Sequence, residues 1–155
     1  MSLEFKIYFG FLSMSLESKI LSLFLFSLDP FPMKMMDKIL ICDDSVSMRR
    51  MLKLTLNQAN YQVTEAENGL NALELAKNDQ FDLILTDVNM PKLDGLSLVR
   101  ELRALPQYQF KPILLLTTES APDKKKMAKA AGATGWLIKP FDPDKLLAAI
   151  RKVLR

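Results

Sequence analysis

The chain has no histidine and only one cysteine, Cys42, among its 155 residues. Without histidine it cannot use a histidine base, a histidine metal ligand or a phosphohistidine of its own. A single cysteine cannot form an intrachain disulfide, which fits a reducing compartment, so we expect a cytoplasmic protein. Because Cys42 lies within an apolar run, we expect it to be a small core residue.

Neither charge nor apolar content is extreme, with 49% apolar residues, 25% charged residues and a net charge of +3. These values and this length are typical of one soluble globular domain. The basic excess falls in the last third of the chain and indicates either an acidic partner or a solvated face. We expect no nucleic-acid binding, since the basic residues lack interleaved aromatics and no recognisable module is present. The excess comprises Lys124, Lys125, Lys126, Lys129, Lys145, Arg151, Lys152 and Arg155.

The first 36 residues do not match the pattern of the rest of the chain. Residues 20–28 are apolar but too short to span a bilayer, and they lack a signal-peptide cleavage site, so we expect no stable membrane insertion. Met33, Met35 and Met36 each offer a later translation start. We interpret residues 1–36 as an appendage, from a misassigned start or a leader; a membrane-leaning anchor is the alternative.

From residue 37 onward, short apolar runs alternate with amphipathic helical patterns. Strands are predicted at residues 38–42, 61–66, 81–86 and 112–116 and around Trp136. Helices are predicted at residues 45–60, 68–77, 95–105, 122–132 and 143–154. Strict alternation predicts a parallel sheet with right-handed crossovers and helices on both faces. Residues 37–155 are therefore expected to form a single α/β sandwich.

Charged side chains follow three of these strands where each strand ends. Asp43 and Asp44 follow the first, Asp87 follows the third and Lys139 follows the fifth. Parallel strands would bring these groups to the carboxyl edge of the sheet, where open α/β sheets bind ligands. The alternative for the acidic pair is a helix cap, provided by Asp44 or Ser45.

Three carboxylates at one edge require positive charge, since two of them ~4 Å apart repel by about 4 kcal/mol at an effective dielectric near 20. Lys139 supplies one positive charge, and a hard divalent ion with oxygen ligands would supply two. Because histidine is absent and the cysteine is expected to be buried, Mg²⁺ fits better than Zn²⁺. A carboxylate in such a site can attack phosphorus to give an aspartyl phosphate. Thr117, which ends the fourth predicted strand, would add a hydroxyl.

Four stretches, in this order and at these spacings, resemble the receiver domain of two-component response regulators, and most of all its stand-alone chemotaxis (CheY-like) type. The resemblance covers residues 37–155 and implies a doubly wound, flavodoxin-like (βα)5 sandwich with strand order 2-1-3-4-5. The stretches are Ile41-Cys42-Asp43-Asp44-Ser45, Thr86-Asp87-Val88-Asn89-Met90-Pro91 with Asp94-Gly95, Leu116-Thr117-Thr118-Glu119 and Gly132-Ala133-Thr134-Gly135-Trp136-Leu137-Ile138-Lys139-Pro140-Phe141.

The resemblance also implies roles for particular residues. Asp87 would accept a phosphoryl group from the phosphohistidine of a histidine kinase. Asp44, Asp87 and the backbone carbonyl of Asn89 would ligate Mg²⁺, and Asp43 would act through a coordinated water. Lys139 would hold phosphoryl oxygens.

Thr117 would also hold phosphoryl oxygens, and the Lys139–Pro140 peptide would be cis. Asn89 and Glu119 would tune hydrolysis of the phosphoryl group. Trp136 stands where the family usually has Tyr or Phe as a rotameric switch coupled to Thr117. A packed edge-strand aromatic is the equal alternative for Trp136.

We therefore expect a single-domain response regulator of chemotaxis or motility, and no enzyme beyond slow self-phosphorylation and dephosphorylation. A target protein, such as an acidic peptide or helix, or a phosphatase would read the face of the fourth helix, fifth strand and fifth helix. The alternatives are a haloacid-dehalogenase-like phosphohydrolase, a phosphotransfer shuttle or sink, and a flavodoxin-like cofactor binder. The hydrolase needs a second acid where this chain has Asn89, and the cofactor binder needs a hydroxyl-rich or glycine-rich loop after the first strand.

Overall fold

The computed structural model describes residues 36–118 and 122–154, together with residues 15–17 and 20. The chain divides into two compact units, Met1–Met35 and Met36–Arg155. The predicted appendage falls on the first unit and lies almost wholly outside the described residues, so its interpretation stays a prediction. Among the described residues, no helix has both the length and the apolar character needed to cross a bilayer.

In the described part of the second unit, strands and helices alternate as predicted. The strands are β1 (Lys38–Cys42), β2 (Gln62–Ala66), β3 (Leu83–Asp87), β4 (Ile113–Thr117) and β5 (Gly135–Ile138). The helices are α1 (Val46–Gln58), α2 (Gly69–Asn78), α3 (Gly95–Ala104), α4 (Pro122–Ala131) and α5 (Pro143–Val153). A 3-10 turn at Pro106–Tyr108, which the sequence did not predict, precedes β4.

The five strands form one parallel sheet in the order β2-β1-β3-β4-β5, which confirms the expected topology. Cys42 pairs with Thr86, and Asp87 pairs with Leu116. Thr117 pairs with Ile138. The carboxyl ends of β1, β3, β4 and β5 are therefore level, and the residues just beyond them meet at one edge.

Two apolar layers cover the two faces of the sheet. Successive residues of β1 alternate between them: Ile39 and Ile41 pack with α1 and α5, whereas Leu40 and Cys42 pack with α2, α3 and α4. All five residues of β4 are buried, as predicted for a strand covered on both faces. Cys42 is fully buried, which confirms its expected place in the core.

The boundaries differ from the predicted ones by a few residues. Ser45 is the N-cap of α1 rather than its first residue, and Asn60 lies in the left-handed region with φ of 62°, beyond the end of that helix. β3 begins later than predicted and includes Asp87. The carboxylate of Asp82 instead accepts hydrogen bonds from Lys38 N at 2.9 Å and Lys111 Nζ at 2.8 Å, which places it beside the sheet's amino edge.

Candidate functional site

Three carboxylates meet where β1 and β3 end. Asp43, Asp44 and Asp87 can each offer one oxygen so that the three oxygens lie within 4.8 Å of one another. Asp43 is fully buried and Asp87 is 8% exposed, whereas Asp44 is exposed. The structure thus brings together the three acids that the strand pattern placed at one edge, in three different environments.

Lys139 reaches the same cluster from the end of β5. Its Nζ lies 2.6 Å from Asp43 Oδ2 and 3.2 Å from Asp87 Oδ1. Its backbone N–H donates to the Thr117 carbonyl at 2.7 Å, which joins the ends of β4 and β5. The peptide bond between Lys139 and Pro140 is cis, in line with the resemblance.

The start of α1 fixes Asp43 from a second side. The backbone N–H of Ser45 donates to Asp43 Oδ1 at 2.9 Å, and Arg49 Nη1 donates to the Asp43 carbonyl at 2.7 Å. Ser45 caps the helix, since its hydroxyl accepts from Met48 N at 3.4 Å. The capping alternative is therefore correct for Ser45, and the carboxylate of Asp44 stays part of the acidic cluster.

Asp87 is fixed by the loop after β3. The N–H of Val88 donates to Asp87 Oδ1 at 2.9 Å, and the N–H of Gly95 donates to the Val88 carbonyl at 2.8 Å. A Cβ atom on Gly95 would lie 2.0 Å from the Asp87 carbonyl oxygen, so only glycine fits against this backbone. The start of α3 thereby holds the acidic residue in place.

Burial and charge both act on the ionisable groups here. Burial raises the pKa of Asp87 and the charge of Asp43 adds to the rise, although Lys139 and a backbone N–H oppose it. Burial alone would lower the pKa of Lys139, but its hydrogen bond to Asp43 and the two carboxylate charges raise it instead. Lys139 is therefore a cation at neutral pH. Burial raises the pKa of Cys42 to about 12, so its thiol stays neutral.

The cluster has the ligands and the charge that a divalent cation requires. Three carboxylates and one ammonium carry a formal charge of two negative units, and the carboxylates offer only oxygen ligands. Mg²⁺ prefers oxygen ligands and is usually held by one or two carboxylates with waters. Asp43, Asp44 and Asp87 thus fit such an ion.

The remaining predicted site residues lie in different surroundings. Thr117 ends β4 beside this edge and is 7% exposed. Asn89 is exposed, two residues after Asp87. Trp136 is 38% exposed on β5. Glu119 lies outside the described residues, so its predicted role stays a prediction.

Sequence reasoning missed two basic residues that contact the predicted ones. Arg49 holds the backbone of Asp43, and Lys125 places its Nζ 5.2 Å from the centre of the Trp136 ring. For Arg49, the helical spacing from the acidic pair was an available signal. For Lys125 there was no sequence signal to separate it from its neighbouring lysines.

A doubly wound parallel sheet with an acidic cluster and a lysine at its carboxyl edge defines a class of α/β proteins that bind ligands at that edge. Within this class, residues 39–151 match the family model described as the response regulator receiver domain. The chain therefore belongs to the response regulator receiver domain family, which confirms the resemblance found in its motifs.

Individual relatives agree with the family. A chemotaxis protein CheY homolog of Campylobacter jejuni is 40% identical over 119 residues, covering 76% of this chain and 92% of the relative. The structure of chemotaxis response regulator CheY4 of Vibrio cholerae shows 49% identity and a TM-score of 0.74, covering 76% of this chain and 98% of that one.

A third similar structure is the receiver domain of a sensor histidine kinase from Pseudomonas aeruginosa PAO1. It is 28% identical with a TM-score of 0.72, and the similarity covers 77% of this chain and 98% of that one. It is described as having a magnesium ion coordinated in its active-site cleft.

Proposed function

We propose that this receiver domain works as a single-domain, CheY-like regulator in chemotaxis or motility, and that Asp87 accepts the phosphoryl group of a partner histidine kinase. The observation that carries the proposal is the placement of Asp87. Asp87 is 8% exposed at the open end of the sheet, and its carboxylate lies 3.2 Å from the ammonium of Lys139. A carboxylate nucleophile that faces a fixed cation is suited to phosphoryl transfer.

In the proposed transfer, a carboxylate oxygen of Asp87 attacks the phosphorus of the phosphohistidine. The new O–P bond forms as the N–P bond breaks, and the imidazole leaves with the bonding electron pair and takes up a proton. Lys139 and the hydroxyl of Thr117 contact the phosphoryl oxygens and stabilise their negative charge. Positioning and charge supply the catalysis, since no other covalent step is needed.

Mg²⁺ fits this proposal as a cofactor: the carboxylates of Asp44 and Asp87 and the backbone carbonyl of Asn89 would hold it, and Asp43 would act through a coordinated water. When bound, the ion supplies positive charge that neutralises phosphoryl oxygens. The three clustered carboxylates support this assignment, as does the magnesium described for the Pseudomonas aeruginosa receiver domain.

We further infer a stoichiometric phosphoacceptor rather than an enzyme that turns over a metabolite. The second acid that a dehalogenase-like hydrolase requires is replaced by Asn89, which is exposed. A shuttle or sink for phosphoryl groups uses the same chemistry, and it differs only in the later fate of the phosphoryl group.

The phosphorylated state would be read on a face that we call the output face, formed by α4, β5 and α5. Several basic side chains lie on α4, and the exposed apolar residue Ile138 lies on β5 beside Trp136. Basic charge around exposed apolar side chains suits an acidic peptide or helix as the target. Lys124 and Lys129 are the residues on which we expect that partner to depend.

Incubation with acetyl phosphate and Mg²⁺, read by intact mass, tests the phosphoacceptor. We expect one phosphoryl adduct per chain in the wild type and none in Asp87→Ala. Asp144→Asn is the matched control, since Asp144 is an exposed aspartate in the first turn of α5. An unmodified wild type, or an undiminished adduct in Asp87→Ala, refutes the proposal. Rapid release of phosphate from a phosphorylated metabolite, far faster than the slow dephosphorylation expected of Asp87, would instead indicate an enzyme.

A further inference from the structure

Two sulfur atoms meet where the loop after β3 rests on the core. The thiol of Cys42, at the end of β1, donates to the thioether sulfur of Met90 at 3.4 Å. Cys42 is fully buried, whereas Met90 is half-buried and packs against the apolar cluster on the α2, α3 and α4 side of the sheet. Met90 therefore anchors this loop to the core, one residue after Asn89 and three after Asp87.

Of the two sulfur atoms, that of Met90 is the one open to oxidation. Burial raises the pKa of the Cys42 thiol, so the thiol stays neutral, and a neutral thiol reacts slowly because the thiolate is the nucleophile. A thioether has no proton to lose and reacts with oxidants without ionising. Met90 is only half-buried, which leaves it within reach of an oxidant as small as hydrogen peroxide.

The contact between the two sulfurs has no space for an added oxygen atom. A sulfoxide is polar, and its oxygen is a stronger hydrogen-bond acceptor than a thioether sulfur, which accepts only weakly. The thiol of Cys42 would then donate to that oxygen, and the sulfurs, now 3.4 Å apart, would have to separate. An oxygen turned into the apolar cluster instead would be a buried polar group without a partner, which is costly. Oxidation should therefore displace Met90, and with it the adjoining residue Asn89.

We propose that Met90 is a modification site, at which hydrogen peroxide converts the thioether to a sulfoxide that displaces the loop carrying Asn89 and weakens Mg²⁺ binding at the acidic cluster. The sulfur gives an electron pair to one peroxide oxygen, so that an S–O bond forms as the O–O bond breaks. The second oxygen takes up the remaining proton and leaves as water, and the sulfur is oxidised as the peroxide is reduced.

This inference rests on the proposed function, because the carbonyl of Asn89 is a Mg²⁺ ligand only in that proposal. Loss of a group that supports a metal ligand typically lowers metal affinity by about 10- to 100-fold. We expect the lower end, about tenfold, because the acidic cluster itself stays intact.

Calorimetric titration of the full chain with Mg²⁺, before and after peroxide treatment, tests the proposal, and peptide mapping by mass spectrometry identifies the oxidised methionines. Each protein is compared with its own untreated form. Met90→Leu cannot be oxidised at this position, and Cys42→Ala leaves space for the added oxygen. Met127→Leu is the matched control, since Met127 is an exposed methionine on α4.

We expect oxidation to weaken Mg²⁺ binding about tenfold in the wild type and in Met127→Leu. Met90→Leu should keep the affinity of its untreated form, and Cys42→Ala should lose less than the wild type. An unchanged affinity in a wild type oxidised at Met90, or an equal loss in Met90→Leu, overturns the proposal. So does a Met90 thioether that survives prolonged treatment, and an equal loss in Cys42→Ala overturns the part assigned to the sulfur contact.

Urea unfolding in EDTA separates this test from that of the proposed function. Without metal, oxidation should lower the urea midpoint of the wild type more than that of Met90→Leu, because the sulfoxide is poorly accommodated beside Cys42. If the untreated wild type binds no Mg²⁺, the proposed cofactor fails, and the unfolding measurement still decides whether oxidation of Met90 disturbs its packing. Equal shifts of the midpoint in the two proteins overturn the inference whether or not Mg²⁺ binds.

Discussion

Removal of the exposed acid of the cluster should stabilise the fold when no metal is bound. Asp44→Asn keeps the size and shape of the side chain but deletes one of three carboxylates whose oxygens lie within 4.8 Å of one another. Asp43 is tied to Lys139 and to the N–H of Ser45, so substitution there would break these contacts as well as remove a charge. Asp44 is exposed and allows a cleaner test.

The expected gain is about 1 kcal/mol in the free energy of unfolding. At 4.8 Å, each like-charge pair costs about 0.9 kcal/mol in a water-like dielectric and about 3.5 kcal/mol at an effective dielectric of 20. The figure for the water-like dielectric applies to Asp44, because its side chain is exposed, and it counts once for each of the two neighbouring carboxylates. Lost attraction to Lys139 offsets part of the gain. The variant also loses the favourable interaction of a negative charge with the start of α1, and this loss of ~0.3–1 kcal/mol reduces the gain further.

Mg²⁺ should reverse the order of stability. A ligand at 100 times its dissociation constant stabilises the folded state by about 2.7 kcal/mol, and a tenfold weaker site gains only about 1.4 kcal/mol at the same concentration. The wild type, with its full set of carboxylates, should therefore overtake the variant as Mg²⁺ is added. Urea unfolding followed by far-UV circular dichroism measures the stability of both proteins, first in EDTA and then at rising MgCl2 concentrations.

Asp123→Asn is the matched control, since Asp123 is an exposed aspartate in the first turn of α4. It shares the helix-terminus effect but lies outside the acidic cluster, so it should be slightly less stable than the wild type and show the full Mg²⁺ gain. If Asp44→Asn is no more stable than the wild type in EDTA, the reasoning from repulsion is wrong. If both proteins gain equally from Mg²⁺, Asp44 is not a ligand.

Gly95→Ala should lower the free energy of unfolding by about 1–3 kcal/mol or more, as expected for overpacking against backbone, and should slow phosphorylation; urea unfolding and intact mass measure these effects. Gly135→Ala is its control, because the nearest atom to its Cβ, at 3.1 Å, is the end of a leucine side chain that can move. Partial burial would raise the pKa of Asp82, but hydrogen bonds from a lysine ammonium and a backbone N–H lower it. Asp82 thus stabilises the fold above its unfolded pKa of about 3.9 and loses this contribution as pH falls through the lower folded value. Asp82→Asn should therefore be less stable than the wild type at pH 7, with a gap that closes in acid; a constant gap in urea unfolding would contradict this. Reversal of charge at Lys124 and Lys129 should weaken capture of an acidic target peptide severalfold in a fluorescence binding assay, and unchanged affinity would rule out an acidic partner.

Most of the fold could be predicted from the order of apolar runs and helix signals. β4 is apolar at every position but its last, and all five of its residues are buried. At the start of β3, prediction failed because a polar group had a partner far away in the chain. The predicted third strand included residues 81 and 82, but Asp82 instead bonds Lys38 and Lys111. Such pairings depend on how strands align, which local patterns do not encode.

The members of the site were more predictable than their environments. Parallel strands of similar length bring Asp44 and Asp87 to one edge, so position in the chain was enough to group them. Position could not show that Asp43 would be fully buried while its neighbour Asp44 is exposed. That difference arises from the first turn of α1, where Ser45 and Arg49 hold Asp43 in place.

The contacts of Lys139 place a further condition on the proposed chemistry. Its ammonium is 2.6 Å from Asp43 and 3.2 Å from Asp87, so both carboxylates already use the charge that the phosphoryl group would need. If Lys139 holds a phosphoryl oxygen as proposed, it must loosen its contact with Asp43. A buried carboxylate that loses its cation is costly, even though the N–H of Ser45 still donates to it. Mg²⁺ held beside Asp43 would offset that cost, because it would supply the charge that Lys139 withdraws. If Asp87 is the phosphoacceptor as we propose, we therefore expect its phosphorylation to depend on Mg²⁺, and Lys139→Met should lower the rate of phosphorylation by acetyl phosphate far more than it changes Mg²⁺ affinity.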